Sequence, residues 1–341
     1  MASHDVSQNP ADWNKKVAGY DLESWKRAAM NLTGFDLNLL RALDALLTYR
    51  NVTRAAERLF VTQQAMSGSL HRLREHFSDE LLVRVGRKLE PTPLGTALAL
   101  PVREALLRVQ AALRTTPNFD PAMETRSCRI AMSDYASLVL LPPFLRHLAK
   151  NAPFISCDSE GISSSSFRKL ERGDLDFCLA PGDWRLYADY RPSPEIQSET
   201  LFEDDFVCIF DADHPDIADE ISMEVYMSLP HNSLKLGGGL VSIVERGWAA
   251  AGVEPHIVAT ASSFSCMLFM LPGTRIVATA QRRLGRSLAG ALGLRMVECP
   301  FPLPKLQENL TWHQRNEDEP GHRYLRDSFR SAAAALSSQN F

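Results

Sequence analysis

Apolar residues recur at helical spacing from Phe35 to Phe77. Leu39, Leu43, Leu46 and Leu47 form one stripe, and Met66, Leu70, Leu73 and Phe77 form a second. At about 100° per residue the second stripe spans only about 60° of a helix circumference, so both predict amphipathic helices. After Arg126 the period changes. The runs CRIAMS, FISCDSE, DFCLA, DFVCIF and TRIVAT read as short strands, with helical stretches between several of them, Leu138–Lys150 and Phe167–Arg172 included. Strands alternating with helices predict an α/β unit with a largely parallel sheet. The bridge between the two patterns is Thr115–Arg126, TTPNFDPAMETR, rich in Pro and turn formers. Residues 1–34 are polar and read as an extension, with a short helix near Leu22–Met30.

The segment Val52–Phe77 predicts two helices joined by a tight turn. Thr53 is placed to cap the first, and Ala55 and Ala56 are small enough for a second helix to pack closely. Phe60 and Val61 make the turn, and Thr62 caps a longer helix starting at Gln63. The face opposite its apolar stripe carries Gln64, Ser67, Gly68, His71 and Arg72, with Gln63 at the flank. Amides and hydroxyls at that end suit base edges, while Arg54, Arg58 and Arg72 suit phosphates. Two helices so related form a helix-turn-helix, the second lying in the major groove. Next, Val83–Val85 and Lys88–Leu89 flank Gly86–Arg87 as a two-stranded wing, with Arg84, Arg87 and Lys88 for the backbone or minor groove. Pro93 opens a long helix to about Arg114. Its Ala97/Leu98, Pro101/Val102, Ala105, Val109 and Ala112 recur as a partner-binding seam would, and Pro101 predicts a kink. An ordinary helical bundle with a solvated basic face is the plain alternative.

Charge sharpens this division. The 341 residues carry a formal net charge of -4, which shows no nucleic-acid signature for the chain as a whole. By segment, residues 1–34 are neutral, residues 35–115 hold twelve Lys/Arg against eight Asp/Glu, and the remainder is at -8. At about 150 residues per domain the length predicts two or three domains. A composition of 45% hydrophobic and 23% charged residues excludes a mainly disordered, collagen-like or disulfide-scaffold chain. None of the six cysteines forms a CxxC pair, and most sit in apolar runs, as reduced buried thiols in a cytoplasmic protein would. The first twenty residues hold no signal-peptide core, and no apolar run approaches the roughly 20 residues of a membrane span. Gly237-Gly238-Gly239 lacks the GxGxxG spacing of a dinucleotide site, His313 and His322 are too far apart for an i, i+4 metal pair, and no Ser-His-Asp arrangement is supported. The expectation is therefore no cofactor, no metal and no enzymatic activity.

In order along the chain, TRAAERL, TQQAMS, ELLVR and LEPTPLG resemble the DNA-binding half of the LysR-type transcriptional regulators, and the likeness extends over about residues 35–330. The opening FDLNLLRALDALLTYRNVTRAAERL and the late WHQRNEDEPGHRYLRDSF resemble the nodulation and aromatic-degradation branch. The chain departs from the family pattern at Gln64, where proline is common, and at Gly68, where a long, often basic residue is common. The resemblance implies an α/β protein with an N-terminal winged helix-turn-helix (35–93), a linker and dimerisation helix (94–116) and a two-lobed, periplasmic-binding-protein-like effector domain (127–341). Lobe one would hold about 127–200 and 308–341 and lobe two about 205–303, with crossovers near Thr200–Phe206 and Pro304–Leu310.

The DNA-contacting set is then Thr53, Arg54, Thr62, Gln63, Gln64, Ser67, His71, Arg72, Arg84, Arg87 and Lys88. Clefts bind at the carboxyl ends of strands, where Ser133, Tyr135 and Pro181 fall in lobe one and His231, Ser233, Ser262, Ser263 and Phe264 in lobe two. A few hydroxyls and a His around a Phe-lined cavity would suit an aromatic or phenolic acid. By resemblance this is a cytoplasmic regulator, an activator of a catabolic operon that responds to a small aromatic effector. It would bind double-stranded promoter DNA as a homodimer or homotetramer and contact RNA polymerase. Flavonoid-type inducer sensing is the alternative, and a solute-binding protein or an enzyme with an accessory helical domain are the rivals from other classes.

Overall fold

The computed structural model describes residues 35–86, 88–114, 119–183, 186, 191–235 and 242–338. The extension with the helix expected near Leu22–Met30, Arg87 of the wing, residues 115–118 of the bridge and the Gly237–Gly239 turn lie outside the described residues. The chain divides after Gln110 into two units.

The first unit opens with α1 (Asn38–Tyr49), α2 (Val52–Leu59) and α3 (Gln63–Phe77). The two apolar stripes meet: Leu39, Leu43, Leu46 and Leu47 are buried with Ala55 and Ala56 of α2 and with Met66, Leu70 and Leu73 of α3. Phe77 closes this core half-buried. The cap of α2 is Asn51 rather than Thr53. The Asn51 side-chain oxygen accepts from the Arg54 N–H at 3.1 Å, and Thr53 lies exposed inside the first turn. The helix begins two residues earlier than the pattern suggests, so the capping position, which needs an extended backbone, falls on Asn51 (φ -156, ψ 121). Thr62 does cap α3, accepting from the Ala65 N–H at 3.2 Å.

The wing is an antiparallel pair, β1 (Leu82–Val85) and β2 (Lys88–Pro91), with Val85 opposite Lys88 and Gly86 turning at φ 62, a conformation only glycine adopts freely. Arg74 of α3 holds its base, donating from Nε to the Glu80 carbonyl and from Nη2 to the Leu82 carbonyl at 2.9 and 2.8 Å. Asp79 accepts from the Leu81 N–H and the Thr92 hydroxyl, and Thr92 in turn caps α4 (Pro93–Arg114) through the Gly95 N–H at 3.0 Å. A Cβ on Gly95 would lie 2.4 Å from the Leu81 carbonyl oxygen, so the helix approaches this closely only because the residue is glycine. The seam expected on α4 divides. Leu94, Leu98, Val102 and Leu106 pack into the unit's own core, whereas Ala97, Leu100, Pro101, Val109, Ala112 and Leu113 are exposed.

The second unit holds two five-stranded sheets. The first has the order β4 (Ile155–Gly161), β3 (Arg126–Met132), β5 (Phe177–Pro181), β12 (Leu306–His313), β6 (Ile196–Asp204), and the second β11 (Leu294–Glu298), β7 (Phe206–Asp211), β10 (Val277–Gln281), β8 (Pro230–Leu234), β9 (His256–Ala261). Each sheet is mixed rather than largely parallel. β3 runs parallel to β4 and β5, and β8 parallel to β9 and β10, but β12 is antiparallel to β5 and β6, and β7 to β10 and β11. The antiparallel pairs are those of the strands that lead between the sheets, which need no crossover helix to return. The chain passes from the first sheet to the second at Asp205 and returns over residues 299–305.

Helices cover the sheets: α5 (Asp134–Val139), α6 (Leu141–Asn151), α7 (Ser164–Glu171) and α12 (Pro320–Ser338) on the first, and α8 (Met223–Ser228), α9 (Ile243–Ala251), α10 (Phe264–Phe269) and α11 (Arg282–Leu292) on the second. Phe144 of α6 and Phe329 of α12 stack at 3.8 Å, against Phe177 of β5. The WHQR run ends β12 structurally: the His313 ring accepts from the Arg315 N–H, and Arg315 donates to the carbonyls of Leu170 and Glu171. Of the six free cysteines Cys128, Cys178 and Cys208 are buried, and Cys266 departs from the expected pattern by being exposed. Among the described residues no helix is long and apolar enough to cross a membrane.

Candidate functional site: a nucleic-acid face and an interlobe cleft

On the first unit, burial of Met66, Leu70 and Leu73 forces Gln63, Gln64, Ser67, Gly68, His71 and Arg72 outward, and all of these are exposed. Nothing lies within 4 Å of a Cβ built on Gly68, so core packing does not require a glycine there. Thr53, Arg54 and Thr62 are exposed beside this face, as are Arg84 and Lys88 on the wing. Phe60 stands 92% exposed in the turn, with a left-handed backbone at φ 56. Two charged contacts touch the face. Arg72 lies 3.4 Å from Asp36, whose carboxyl is held below the ordinary range by the Asn38 backbone N–H, then by the Asn38 side chain and Arg72. His71 lies 3.3 Å from Glu75, one helical turn on. The result is a helix end of amides and hydroxyls flanked by arginines on two elements, a surface suited to bases and phosphates at once.

In the second unit, Ser133, Tyr135, Pro181 and Phe264 come together around a cavity of about 60 Å³ between the lobes. Ile162, Leu186, Phe206, Ser242, Ile243, Val244, Gln281, Leu306 and Glu308 complete its wall. Ser133 caps α5, its hydroxyl accepting from the Ala136 N–H at 3.1 Å. Tyr135 is buried, and its hydroxyl donates to Asp204 at 2.7 Å, while Asp204 also accepts from the backbone N–H of Arg283 in the other lobe at 3.1 Å. Burial and then the Asp204 charge drive the Tyr135 phenol far up, and burial raises the Asp204 carboxyl as well. Two further contacts tie the lobes: the Ser265 N–H to Asp134 at 2.9 Å and Arg246 to Asp183 at 2.8 Å.

The other expected cleft residues lie elsewhere. β8 is covered by helices of lobe two, so the side chains of His231 and Ser233 are buried against them. His231 is fully buried there, its Nε2 2.7 Å from the Tyr226 carbonyl, and burial lowers its pKa. Ser233 donates to Glu245 at 3.3 Å. Ser262 is exposed outside the cavity wall, and Ser263 caps α10 through the Cys266 N–H at 3.1 Å.

Sequence reasoning missed the two most polar residues of the wall, Gln281 and Glu308. Glu308 is fully buried, neither of its carboxyl oxygens has a hydrogen-bond partner, and the Gln281 side-chain oxygen is likewise unpartnered. Burial, with Asp204 nearby, pushes the Glu308 carboxyl up to about 8. The signal was present: in LQENLTWH, Glu308 shares the inward register with Leu306 and Leu310, where an acid is costly. A second, larger cavity of about 320 Å³ adjoins the hinge, lined by Asp183, Arg246, Lys305 and Gln307 among others.

Comparison with known proteins agrees with these two surfaces. The family description "Bacterial regulatory helix-turn-helix protein, lysR family" matches residues 37–96, and "LysR substrate binding domain" matches residues 122–334. The chain is 35% identical to nodulation protein D 1 of Rhizobium leguminosarum bv. phaseoli over 91% of its own length and 96% of that protein's. It is 34% identical to nodulation protein D 2 of Rhizobium tropici over 90% and 96%. Among solved structures, a probable transcriptional regulator of Pseudomonas aeruginosa is similar with a TM-score of 0.59 and 29% identity, covering 88% of this chain and 98% of that one. Full-length OxyR of Pseudomonas aeruginosa shares the fold, with a TM-score of 0.63 and 20% identity over 88% and 94%.

Proposed function

The chain belongs to the LysR family of transcriptional regulators, DNA-binding proteins rather than enzymes, and from that premise we propose that it is a cytoplasmic activator of a catabolic operon, responding to a small aromatic effector held between its lobes. The observation that carries the effector reading is the cleft wall: Phe206, Phe264, Leu306, Val244 and Ile162 supply apolar contact, and Ser133, Tyr135, Gln281 and Glu308 supply a few polar groups. A phenol, a chlorinated aromatic or an aromatic acid fits that description by class. The cavity of about 60 Å³ is well below the roughly 300 Å³ usual for a ligand pocket, so an effector must open the lobes to enter. Opening alters the Ser265–Asp134 and Arg246–Asp183 contacts, and effector and lobe angle become linked populations.

On the DNA side Gln63, Gln64, Ser67 and His71 meet bases, Thr53 and Thr62 meet the backbone beside the turn, and Arg54, Arg72, Arg84, Arg87 and Lys88 meet phosphates or the minor groove. The exposed Val109, Ala112 and Leu113 at the far end of α4 form the seam of a homodimer, the sensor domains pair dimers into a homotetramer, and the DNA-bound assembly contacts RNA polymerase.

A second reading, an inducer of the flavonoid type, is favoured by the nodulation protein D relatives. A gel-shift salt titration on promoter DNA tests the DNA side: affinity falls linearly in log–log form as counterions are released, and a flat response overturns the phosphate contacts. A thermal-shift screen against phenols, benzoates and flavonoids tests the effector side, because a bound ligand raises the melting temperature and the responding class separates the two readings.

A further inference from the structure

We propose that Glu308, with Gln281 on the wall of the same cavity, sets which effector the cleft accepts: it selects an uncharged ring hydroxyl, a phenol, over an aromatic carboxylate. This rests on the aromatic-effector reading above and narrows it.

A fully buried carboxyl with both oxygens unpartnered is costly in any fold, and buried polar groups normally find partners. Here the orphaned acid lines a cavity, and a second orphaned oxygen, from Gln281, lines it too. Polar groups left open on a cavity wall are available to a ligand that enters.

The surroundings define that ligand. Among the described residues, none of those forming the cavity wall is Lys, Arg or His. From β5 the neighbour paired with Glu308 is Pro181, and from β6 it is Phe202. The Tyr135 hydroxyl is already given to Asp204. Arg283 stacks over Phe202 at 5.8 Å and donates from one Nη to the Leu336 carbonyl at 2.9 Å; its Nε is unpartnered, but the residue is not part of the cavity wall. An incoming carboxylate would find no counter-ion among the described wall residues, and would add a negative charge near Asp204 in a low-dielectric pocket.

Glu308 itself is held protonated at neutral pH by its burial and by Asp204, with its carboxyl pushed up to about 8. It then offers one O–H donor and one carbonyl acceptor, and Gln281 offers an acceptor. A phenolic hydroxyl accepts one hydrogen bond and donates one, so it satisfies the Glu308 O–H and the Gln281 oxygen together. A benzoate has no proton to give the Gln281 oxygen.

The test uses full-length protein and a matched pair of probes, 4-chlorophenol and 4-chlorobenzoate, titrated calorimetrically at pH 7. We expect the phenol to bind at least about tenfold more tightly than the benzoate. Glu308→Leu should lose about tenfold in phenol affinity and with it the preference, while Glu308→Gln, which keeps a neutral donor and acceptor, should retain both. Thermal unfolding of each variant confirms that it is folded, and the wild-type comparison and Glu308→Gln suffice if Glu308→Leu is not. Equal binding of the two probes, a preference for the benzoate, or an unchanged preference in Glu308→Leu overturns the assignment of Glu308 and leaves the aromatic-effector reading standing. Binding of neither probe overturns both.

Discussion

The reader unit and the cleft of this regulator reach a functional surface by opposite routes. In the reader, one helix of fifteen residues carries both the buried stripe and the exposed face, so folding the helix fixes what points at the solvent. In the cleft, the wall is drawn from segments as far apart as Ser133 and Glu308, and no single element implies it. The polar content differs in the same way. Polar groups of the reader face lie exposed and solvated, whereas the cleft keeps a carboxyl and an amide oxygen buried without partners. A surface that must read a charged polymer stays wet. The cleft wall instead holds unsatisfied groups that, on the effector reading proposed above, a small molecule completes.

The largest effect that would break this comparison is on the pH dependence of stability. With Glu308 at about 8 in the folded chain and near its ordinary value of 4.5 when unfolded, the folded state holds a proton that the unfolded state releases in that window. Stability therefore falls as pH rises from 4.5 to 8, by an upper bound on the order of 4–5 kcal/mol. Denaturant titrations of wild type and Glu308→Gln across that range measure it: the wild type should be steeper, and identical profiles would show that Glu308 is not buried as an acid.

Next in size is Leu73→Ala. It removes a fully buried side chain from the reader core and should cost about 2–5 kcal/mol, abolishing specific DNA binding. Far-UV melting and gel shifts check it, and retention of full operator affinity would break the link between the buried stripe and the exposed face.

Gln64→Ala touches nothing in that core. It should cut discrimination between operator and random DNA by about 1–3 kcal/mol while leaving non-specific binding nearly intact. Equal losses on both DNAs would mean that Gln64 does not read bases.

The smallest expected effect compares the caps of the two regions. Thr62→Ala and Ser133→Ala each remove one capping hydrogen bond and should each cost about 1 kcal/mol of stability. For Ser133→Ala we expect effector affinity to fall about threefold in calorimetry, because the hydroxyl that accepts the capping bond still has its O–H to donate. Unchanged affinity would reduce Ser133 to a structural cap.

How far each region was legible follows from where its information lies. The stripes of α1 and α3, the Thr62 cap, the outward amides and the wing strands all come from local periodicity and turn chemistry, and they are where the sequence pattern puts them. The error at Thr53 is local too, a shift of two residues in a helix start. In the cleft, strand ends were good guides in lobe one, giving Ser133, Tyr135 and Pro181. In lobe two they lead to His231 and Ser233, which are not part of the cavity wall, because the helices covering β8 bury them against Tyr226 and Glu245. Ser262 and Ser263 were drawn in by a helix start whose cap accounts for Ser263 alone.

The sequence by itself determined the family, the reader helix and its outward residues, and the division into a basic reader and an acidic sensor, because all of these depend on neighbours within a turn or two of the chain. Only the tertiary structure decided that Glu308 and Gln281 face the same cavity as Tyr135 and Phe264, that the Tyr135 hydroxyl is spent on Asp204, and that no cation lines the wall among the described residues. Those facts depend on β12 returning between β5 and β6 and on the lobes closing over it. That is a long-range pairing whose electrostatic consequence, an acid held neutral, exists only once water has been excluded.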